Sequence, residues 1–199
     1  MEELPTWPQG SGWLRTMIQI QLKKQIRDNL LKRRLKLTED EVSRLSKQIN
    51  ENIQSQDVYR KSLNIGTYIS IKNEPIIERQ KDKIYSCPKV MGTEINFFKI
   101  QNNFKKAAFD IPEPTNDVPF DIFDLDLLLI PLVAFNKKLE RIGYGKGFYD
   151  KFLAKFNEND RRPYFWGIGY NFQIVDEIFG EKLDIKLDKV ITERNIYEK

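Results

Sequence analysis

The residues with the most distinctive chemistry lie in one run of ten, from Arg141 to Asp150. Within this run three glycines alternate with larger residues, two cations are interspersed, and an aspartate ends it. Alternating glycines let backbone amides approach an anion closely, and a helix N-terminus adds favourable partial charge. Phe148, Phe152 and Phe156 recur at helical spacing at the end of the run and beyond it. The run therefore predicts a phosphate-binding loop at the start of a helix.

The spacing within the run matches neither of the common nucleotide-binding motifs. Its glycines do not follow the G-x-G-x-x-G pattern, and Lys146 is followed by Gly147 where a P-loop has Ser or Thr. A flexible loop whose glycines serve only a tight turn is the alternative interpretation. That alternative leaves Arg141, Lys146 and Asp150 without a role.

The composition of the 199-residue chain limits the reactions that it can catalyse. It contains no histidine, which excludes a Ser-His-Asp or Cys-His site and any histidine-ligated metal. A metal must therefore take oxygen ligands, which favours Mg²⁺. Cys87 is the only cysteine, so no internal disulfide can form, which is consistent with a reducing compartment.

The charge and hydropathy of the chain bear on its location and partners. A net charge of +4 suits an anionic ligand but is too small to indicate nucleic acid by itself. No apolar run reaches the length of about 18 residues that a membrane span needs, and the acidic start does not resemble a secretory signal. We therefore expect a cytoplasmic protein, with an organelle matrix as the alternative, and no membrane or nucleic-acid partner.

Periodicity and turn residues predict an alternation of helices and strands. A capping box at Thr38–Glu41 marks the start of one helix, and three prolines mark residues 111–119 as a loop. The predicted helices are 22–36, one after Thr38, one from Pro75, 148–156 and a short one at 173–178. The predicted strands are 65–71, 83–85 (ended by Cys87-Pro88), 94–100, 125–130, 164–169 and 189–192.

This alternation predicts an α/β fold with a largely parallel sheet and helices on both faces, a Rossmann-like three-layer architecture. We expect residues 17–199 to form one domain and residues 1–16 to be a disordered extension. Ligands of such sheets lie beyond the carboxyl ends of the strands. Glu74 and the 141–150 run both follow strands, so both are expected to face that crevice.

The first predicted helix is strongly basic, with seven cations and only Asp28 as an acid between residues 22 and 36. Lys23 and Arg27 lie one turn apart on a common face and could reach one polyanion together. The remaining cations of its C-terminal half are interpreted as a solvated basic face: Lys32, Arg33, Arg34 and Lys36.

Several spaced motifs carry a family resemblance. The strongest block comprises Asp126–Pro131, Phe135 and residues 141–150. Supporting matches are Lys23 with Arg27, Ile69-Ser70 with Glu74, Ile111–Pro114, and Asp184 and Asp188 before Val190. On these motifs the chain resembles the 5-formyltetrahydrofolate cyclo-ligases, also called 5,10-methenyltetrahydrofolate synthetases, from about residue 22 to about residue 193.

The resemblance implies an activity. The family converts 5-formyltetrahydrofolate to 5,10-methenyltetrahydrofolate with Mg-ATP and releases ADP and phosphate. ATP phosphorylates the formyl oxygen, the neighbouring folate nitrogen attacks the activated carbon, and phosphate leaves as the ring closes. This chemistry needs positioning and charge compensation but no histidine, in agreement with the composition.

The resemblance also implies roles for individual residues. Arg141, Lys146 and Tyr149 would be catalytic. The ATP-binding set would be Lys23, Arg27, Arg141, Ile142, Gly143, Tyr144, Gly145, Lys146, Gly147, Phe148 and Tyr149. The folate-binding set would be Ile69, Glu74, Tyr144, Gly145, Lys146, Gly147 and Phe148. Asp150 and Asp184 would bind Mg²⁺, with Asp188 as a competitor of Asp184.

Other interpretations of these residues stay open. Asp150 could cap a helix or form an ion pair, and Phe148 and Tyr149 could be core aromatics, as we expect for Trp166. The basic first helix also allows a non-catalytic RNA-binding relative, and another ATP-using ligase acting on a small anion is a second rival. We expect a monomer that binds 5-formyltetrahydrofolate and ATP.

Overall fold

The computed structural model describes residues 11–100, 104–106, 112–114, 118–156, 161–177 and 185–198. Four helices are present in these ranges: α1 (Ser11–Arg34), α2 (Glu39–Gln54), α3 (Asp57–Lys61) and α4 (Phe148–Ala154). The first six strands are β1 (Asn64–Gly66), β2 (Ile84–Met91), β3 (Glu94–Lys99), β4 (Phe104–Lys106), β5 (Pro112–Pro114) and β6 (Leu127–Pro131). The others are β7 (Ala134–Phe135), β8 (Arg141–Ile142), β9 (Tyr164–Ile168), β10 (Lys189–Ile191) and β11 (Ile196–Glu198).

A seven-stranded sheet forms the centre, in the order β11-β10-β9-β6-β1-β2-β3. The five inner strands are parallel, and an antiparallel strand lies at each edge. Parallel strands need crossover connections, which place helices on the faces of a sheet. The prediction of a largely parallel α/β sheet is confirmed. No helix in the described ranges is long and apolar enough to cross a membrane.

The apolar run in β6 explains why both faces of the sheet are covered. Leu128 and Ile130 join a core cluster with residues of α4, whereas Leu127 and Leu129 join a second cluster with residues of α2 and α3. Successive side chains of a strand point to opposite faces, so a continuous apolar run requires two hydrophobic layers. The helices of the two faces supply those layers.

The start of α2 has the predicted capping box. The Thr38 hydroxyl accepts a hydrogen bond from the Glu41 amide at 3.2 Å, and the Glu41 carboxylate accepts one from the Thr38 amide at 2.9 Å. Two amides that would lack helical partners are thereby satisfied. Val42, Ile49 and Ile53 are buried along one side of this helix, as their spacing predicts.

The helix predicted from Pro75 is wrong, because α2 supplies the hydrogen-bond partners of this segment. The Ser46 hydroxyl accepts from the Ile76 amide, and the Asn50 side chain donates to the Ile76 carbonyl and accepts from the Glu78 amide. With its backbone groups satisfied by these side chains, the segment does not need helical bonds between its own residues. It runs beside α2 without regular secondary structure.

Other element boundaries also differ from the predictions. The strand predicted at 65–71 ends at Gly66, and the strand predicted to stop at Cys87-Pro88 continues to Met91. Near the helix predicted at 173–178, the residues described up to 177 contain only a 3₁₀ turn at Asn171–Gln173. The pairs β4–β5 and β7–β8 and the edge strand β11 were not predicted. The first helix begins at Ser11, whereas residues 1–10 lie outside the described residues, so the predicted extension stays a prediction.

Candidate functional site

A cleft of about 350 Å³ lies at the carboxyl ends of the parallel strands. Its walls come from α1, the turn that follows β1, strands β2 and β3, and the 141–150 run, which we call the glycine loop. With the exception of Asp188, every predicted site residue within the described part of the chain lines this cleft: Lys23, Arg27, Ile69, Glu74 and all ten residues of the glycine loop. Asp184 lies outside the described residues. Residues far apart in the sequence therefore face one space.

The glycine loop is positioned by the β7–β8 hairpin before it and by α4 after it. Gly145 and Gly147 have φ angles of +87° and +70°, in the left-handed region that glycine adopts without a steric penalty. Gly147 is the N-cap residue of α4 and, because it has no side chain, makes no side-chain capping bond. The glycines thus serve the turn, and the same turn brings the loop backbone to the wall of the cleft.

Arg27 supports this loop from α1. Its Nε donates a hydrogen bond to the Gly143 carbonyl at 2.8 Å. Its guanidinium lies so close to Gly145 that an added Cβ there would approach it to 3.1 Å. Arg27 therefore combines a cation at the cleft with a tether for the loop, and Lys23 lines the cleft one helical turn earlier.

The sequence-based prediction of exposed cations at the end of α1 is wrong for Arg34. Lys32, Arg33 and Lys36 are exposed as predicted, but Arg34 is fully buried. Its guanidinium donates to the Lys72 carbonyl at 3.0 Å, to the Leu132 carbonyl at 3.2 Å and to the Tyr144 hydroxyl. The prediction of a solvated face was wrong for Arg34 because these oxygens offer an acceptor to each of its three guanidinium nitrogens.

The sequence carried a signal for Arg34 that the charge count obscured. At about 100° per residue, Lys23, Arg27 and Arg34 lie within about 40° of one another around the helix axis. Ile26 and Leu30, which pack in a small hydrophobic cluster, lie on the same side. A cation that shares a stripe with packed apolar residues is a candidate for burial.

Glu74 is the buried carboxylate of the cleft, only 3% exposed. Tyr144 donates its hydroxyl proton to Oε1 at 2.8 Å, the Ile71 amide donates to Oε2 at 3.1 Å, and Arg34 lies 3.7 Å from Oε1. Burial raises the pKa of Glu74, and Arg34 and the hydrogen bonds oppose that rise. The network keeps a carboxylate available inside the protein, where a ligand with hydrogen-bond donors could reach it.

Two tyrosines of the cleft keep their protons over the physiological range. Burial raises the pKa of Tyr144 and of Tyr149, and the charge of Glu74 raises both further. Both hydroxyls can therefore act as hydrogen-bond donors. Phe148 and Tyr149 pack partly against the core as well as line the cleft, whereas Trp166 is buried in the opposite cluster, as expected.

Arg141 and Asp150, the first and last residues of the glycine loop, form an ion pair. Arg141 donates to Asp150 Oδ1 at 2.5 Å and to the Ile185 carbonyl at 3.2 Å. The Arg141 side chain is only 5% exposed, whereas that of Asp150 is 56% exposed. The ion-pair alternative for Asp150 is therefore realised, and its exposed carboxylate still faces the cleft.

The described residues offer no preformed cage for a metal. No group of three or more Asp, Glu, Cys or His side chains within them could hold an ion. An ion that arrives with a nucleotide needs only one or two carboxylates, because phosphate oxygens and water complete its coordination. Asp150 fits that requirement. Ile185, which follows Asp184 in the sequence, contacts Arg141 through its carbonyl.

Asp188, the competitor of Asp184 for a metal role, is occupied elsewhere. Its carboxylate accepts two hydrogen bonds from Arg162, at 2.5 and 3.0 Å, and one from the Phe165 amide at 2.8 Å. It precedes β10 and lies beside the start of β9, at the amino ends of the parallel strands. Asp188 therefore lies at the opposite end of the strands from the cleft.

The fold and the cleft together define an α/β protein in which a cationic glycine loop faces a buried carboxylate. The model of the 5-formyltetrahydrofolate cyclo-ligase family matches residues 19–193, and the chain belongs to this family. The resemblance inferred from the motifs is confirmed.

Individual relatives agree with this assignment. The 5-formyltetrahydrofolate cyclo-ligase of Mycoplasma genitalium is 32% identical over 85% of this chain and 96% of its own length. The mouse (Mus musculus) enzyme of the same name is 25% identical over 86% of this chain and 93% of its own.

Solved structures extend the likeness to the fold. The 5,10-methenyltetrahydrofolate synthetase of Aquifex aeolicus superimposes with a TM-score of 0.76 at 30% identity, covering 89% of this chain and 92% of that chain. The synthetase of Mycoplasma pneumoniae gives a TM-score of 0.70 at 29% identity, covering 86% of this chain and 99% of that one.

Proposed function

We propose that this protein converts 5-formyltetrahydrofolate to 5,10-methenyltetrahydrofolate with consumption of ATP. The observation that carries the proposal is the cleft itself, where the glycine loop and its cations face the buried Glu74 within the fold of this family. A phosphate-bearing substrate and a substrate rich in hydrogen-bond donors could be held side by side there. These are the chemical characters of ATP and of a reduced pterin.

The nucleotide phosphates are proposed to lie against the glycine loop. Lys23, Arg27, Arg141 and Lys146 bring four cations to the lining of the cleft. Positive φ at Gly145 and Gly147 shapes a turn whose amides can approach an anion. The loop thereby compensates the charge that spreads over the phosphoryl oxygens during transfer.

The pterin is proposed to lie at the other side of the cleft, against Glu74 and Ile69. A carboxylate accepts two hydrogen bonds from neighbouring N–H groups of a pterin ring, and the apolar wall contacts the ring face. Tyr144 lies between the two substrates, because it belongs to the glycine loop and donates to Glu74. This arrangement would bring the formyl oxygen to the terminal phosphate.

The proposed reaction has two chemical steps. The formyl oxygen attacks the terminal phosphorus of ATP, and ADP leaves. The neighbouring folate nitrogen then forms a bond to the activated carbon, its proton is lost, and the carbon–oxygen bond breaks as inorganic phosphate departs. Lys146 and Arg141 are proposed to stabilise the phosphoryl charge in both steps. Tyr149 is proposed to donate a hydrogen bond to the reacting groups.

Mg²⁺ is proposed to be bound by Asp150 with Asp184, and when bound it would neutralise part of the charge of the nucleotide phosphates. Arg141 holds Asp150 at the end of the loop, and so sets where that carboxylate can meet a phosphate-bound ion. We also propose that the protein acts as a monomer in the cytoplasm without a nucleic-acid or membrane partner.

The proposal is tested by mixing the purified protein with Mg-ATP and 5-formyltetrahydrofolate. We expect methenyl absorbance to rise with release of one phosphate for each product formed. Lys146→Ala and Asp150→Ala should abolish turnover while both variants stay folded at the assay temperature. Asp150→Ala should lower the unfolding temperature, because the nearly buried Arg141 loses its charge partner. Lys151→Ala, on the exposed side of α4, is the matched control and should retain turnover.

Two results would contradict the proposal. Wild-type protein that binds ATP but forms no methenyl product would favour the rival ligase acting on another small anion. RNA affinity that falls steeply with salt, without turnover, would favour the RNA-binding rival. The burial of Arg34 removes one cation from the surface that motivated this second rival.

A further inference from the structure

Arg34, the last residue of α1, is buried at a junction of three chain segments. Its acceptors are the carbonyl of Lys72 in the turn after β1, the carbonyl of Leu132 just beyond β6, and the Tyr144 hydroxyl in the glycine loop. Arginine is rarely fully buried unless its charge is paired. Here its charge partner is Glu74, whose side chain is only 2% exposed.

The geometry makes Tyr144 a bridge. Its hydroxyl accepts a hydrogen bond from Arg34 and donates one to Glu74 Oε1 at 2.8 Å. One guanidinium therefore contacts both the glycine loop and, through the ion pair, the carboxylate on the other side of the cleft. A displacement of Tyr144 would change the surroundings of Glu74, and a displacement of Glu74 would change those of Tyr144.

The turn that carries Glu74 depends on the same cation. Lys72 and Asn73 have φ angles of +49° and +58°, which are unfavourable for residues with a side chain. Arg34 Nε donates a hydrogen bond to the Lys72 carbonyl. In return, the Asn73 side-chain amide donates to the carbonyls of Arg34 and Leu37. The end of α1 and this turn thus hold each other in place.

We propose that Arg34 is a positioning residue that couples the glycine loop to Glu74, so that nucleotide and 5-formyltetrahydrofolate reinforce each other's binding. The inference rests on the proposed function for the identity of the two ligands. A ligand that orders the loop fixes Tyr144, and through Arg34 it fixes Glu74. Because coupling between two sites is reciprocal, folate at Glu74 must favour nucleotide at the loop by the same factor.

A purely structural role for Arg34 makes a different prediction. A cation that only anchored α1 to the sheet would support stability, and its loss would lower the unfolding temperature without changing how one ligand affects the other. The discriminating quantity is therefore the ratio of nucleotide dissociation constants without and with saturating 5-formyltetrahydrofolate. The ratio reports coupling within the folded protein only while the protein is fully folded without ligand, because a ligand that recruits unfolded molecules would itself raise it. Each variant is therefore measured well below its unfolding temperature.

The experiment measures this ratio by calorimetry with a non-hydrolysable ATP analogue and Mg²⁺. For the wild type we expect a ratio of about 5 or more, the lower range of typical coupling. Tyr144→Phe removes only the bridging hydroxyl, and Arg34→Met removes the guanidinium; each should bring the ratio close to one. Lys32→Met, an exposed cation on the same helix, is the matched control and should keep the wild-type ratio.

Two further variants sharpen the test. The double variant Arg34→Met/Tyr144→Phe should lose no more coupling than Arg34→Met alone, since both changes interrupt one path. Arg34→Lys keeps the charge but not the guanidinium fork, so it should recover unfolding temperature without recovering the ratio. Full recovery of the ratio by Arg34→Lys would contradict the role assigned to the fork.

The inference is overturned if Tyr144→Phe and Arg34→Met both keep the wild-type ratio, or if the wild-type ratio is itself one. Arg34→Met could fail to fold, in which case Tyr144→Phe decides alone. The failure of the proposed function has a separate signature. In that case wild-type protein forms no methenyl product, whatever the binding ratios of the variants.

Discussion

The starts and the ends of the parallel strands form two opposite borders of the sheet, which we call its amino edge and its carboxyl edge. The carboxylates at these two edges have opposite roles. At the amino edge, Asp126 Oδ2 accepts hydrogen bonds from two successive backbone amides at the start of β1, each at 2.9 Å. Asp188 at the same edge pairs with Arg162 and accepts from the Phe165 amide. Both carboxylates accept hydrogen bonds from amides of neighbouring chain segments, so they join strands to one another.

At the carboxyl edge the acids face a cleft. Glu74 is held by Arg34 and Tyr144 but lines the open space, and Asp150 is paired with Arg141 while more than half exposed. The sequence position of a carboxylate at a strand end therefore does not show its role. Its role depends on whether the folded chain leaves it facing an open cleft, as it does for Glu74 and Asp150.

Among substitutions at the two edges, Glu74→Gln is expected to have the largest effect on catalysis. The variant replaces a carboxylate acceptor by an amide that presents donors to the pterin, so kcat/KM for 5-formyltetrahydrofolate should fall by roughly 10- to 100-fold, in line with the 1.5–3 kcal/mol of a charged hydrogen bond. Steady-state kinetics with varied folate measures this fall. An unchanged kcat/KM would remove Glu74 from the binding site.

The opposite pattern is expected for Asp188→Ala. Loss of the carboxylate leaves the Phe165 amide and Arg162 without this acceptor, so the free energy of unfolding should decrease by about 1–2 kcal/mol. Urea unfolding measures that decrease. Because Asp188 lies away from the cleft, kcat per folded molecule should match the wild type. A selective loss of kcat would place Asp188 in the catalytic site.

A smaller effect separates two glycines of the same loop. Gly145→Ala forces a side chain into positive φ, where an added Cβ would lie 3.1 Å from the Arg27 guanidinium. We expect a loss of about 1–2 kcal/mol in unfolding free energy together with weaker ATP binding. Gly143→Ala is the matched control, because nothing lies within 4 Å of its added Cβ and its φ is not positive. Equal effects in both variants would contradict the assigned geometry.

The smallest predicted effect is the pH dependence due to Glu74. Since the pKa of Glu74 is raised by burial in the folded protein, the folded state binds this proton more tightly than the unfolded chain does. Its contribution to stability therefore decreases as pH rises from the ordinary value of 4.5 through the raised pKa.

This contribution is measured as the unfolding free energy of the wild type minus that of Glu74→Gln over the same pH range. The difference should decrease with increasing pH, by no more than about 1.4 kcal/mol per pH unit for one proton. A difference that increases with pH would mean that Arg34 and the hydrogen bonds outweigh burial. Arg34→Met should raise the pKa of Glu74 further, because Arg34 lowers it.

Local patterns predicted much of the fold. The capping box of α2 and the apolar run of β6 were read correctly because their signals lie within a few consecutive residues. The segment after Pro75 was not, because Ser46 and Asn50, far earlier in the chain, satisfy its backbone. Propensity describes what a segment does alone and cannot include such distant partners.

The candidate site shows the same division. The glycine loop was recognised from its own spacing, and the structure brings it to the same cleft as Lys23, Arg27 and Glu74. The burial of Arg34 was missed, because its acceptors belong to three segments that meet only in the folded chain. Residue type indicated which chemistry is available, whereas contacts between distant segments determine which residues perform it.

The most direct test of the contrast between the two edges is amide hydrogen exchange with and without Mg-ATP. We predict slower exchange across residues 141–150 and in the turn that carries Glu74 when nucleotide is present. The amides of Leu63, Asn64 and Phe165, bonded to carboxylates at the amino edge, should show no slowing beyond the uniform one that ligand binding gives to amides exchanging through global unfolding. Unchanged exchange in the glycine loop, or protection confined to the amino edge, would contradict a nucleotide site in the cleft.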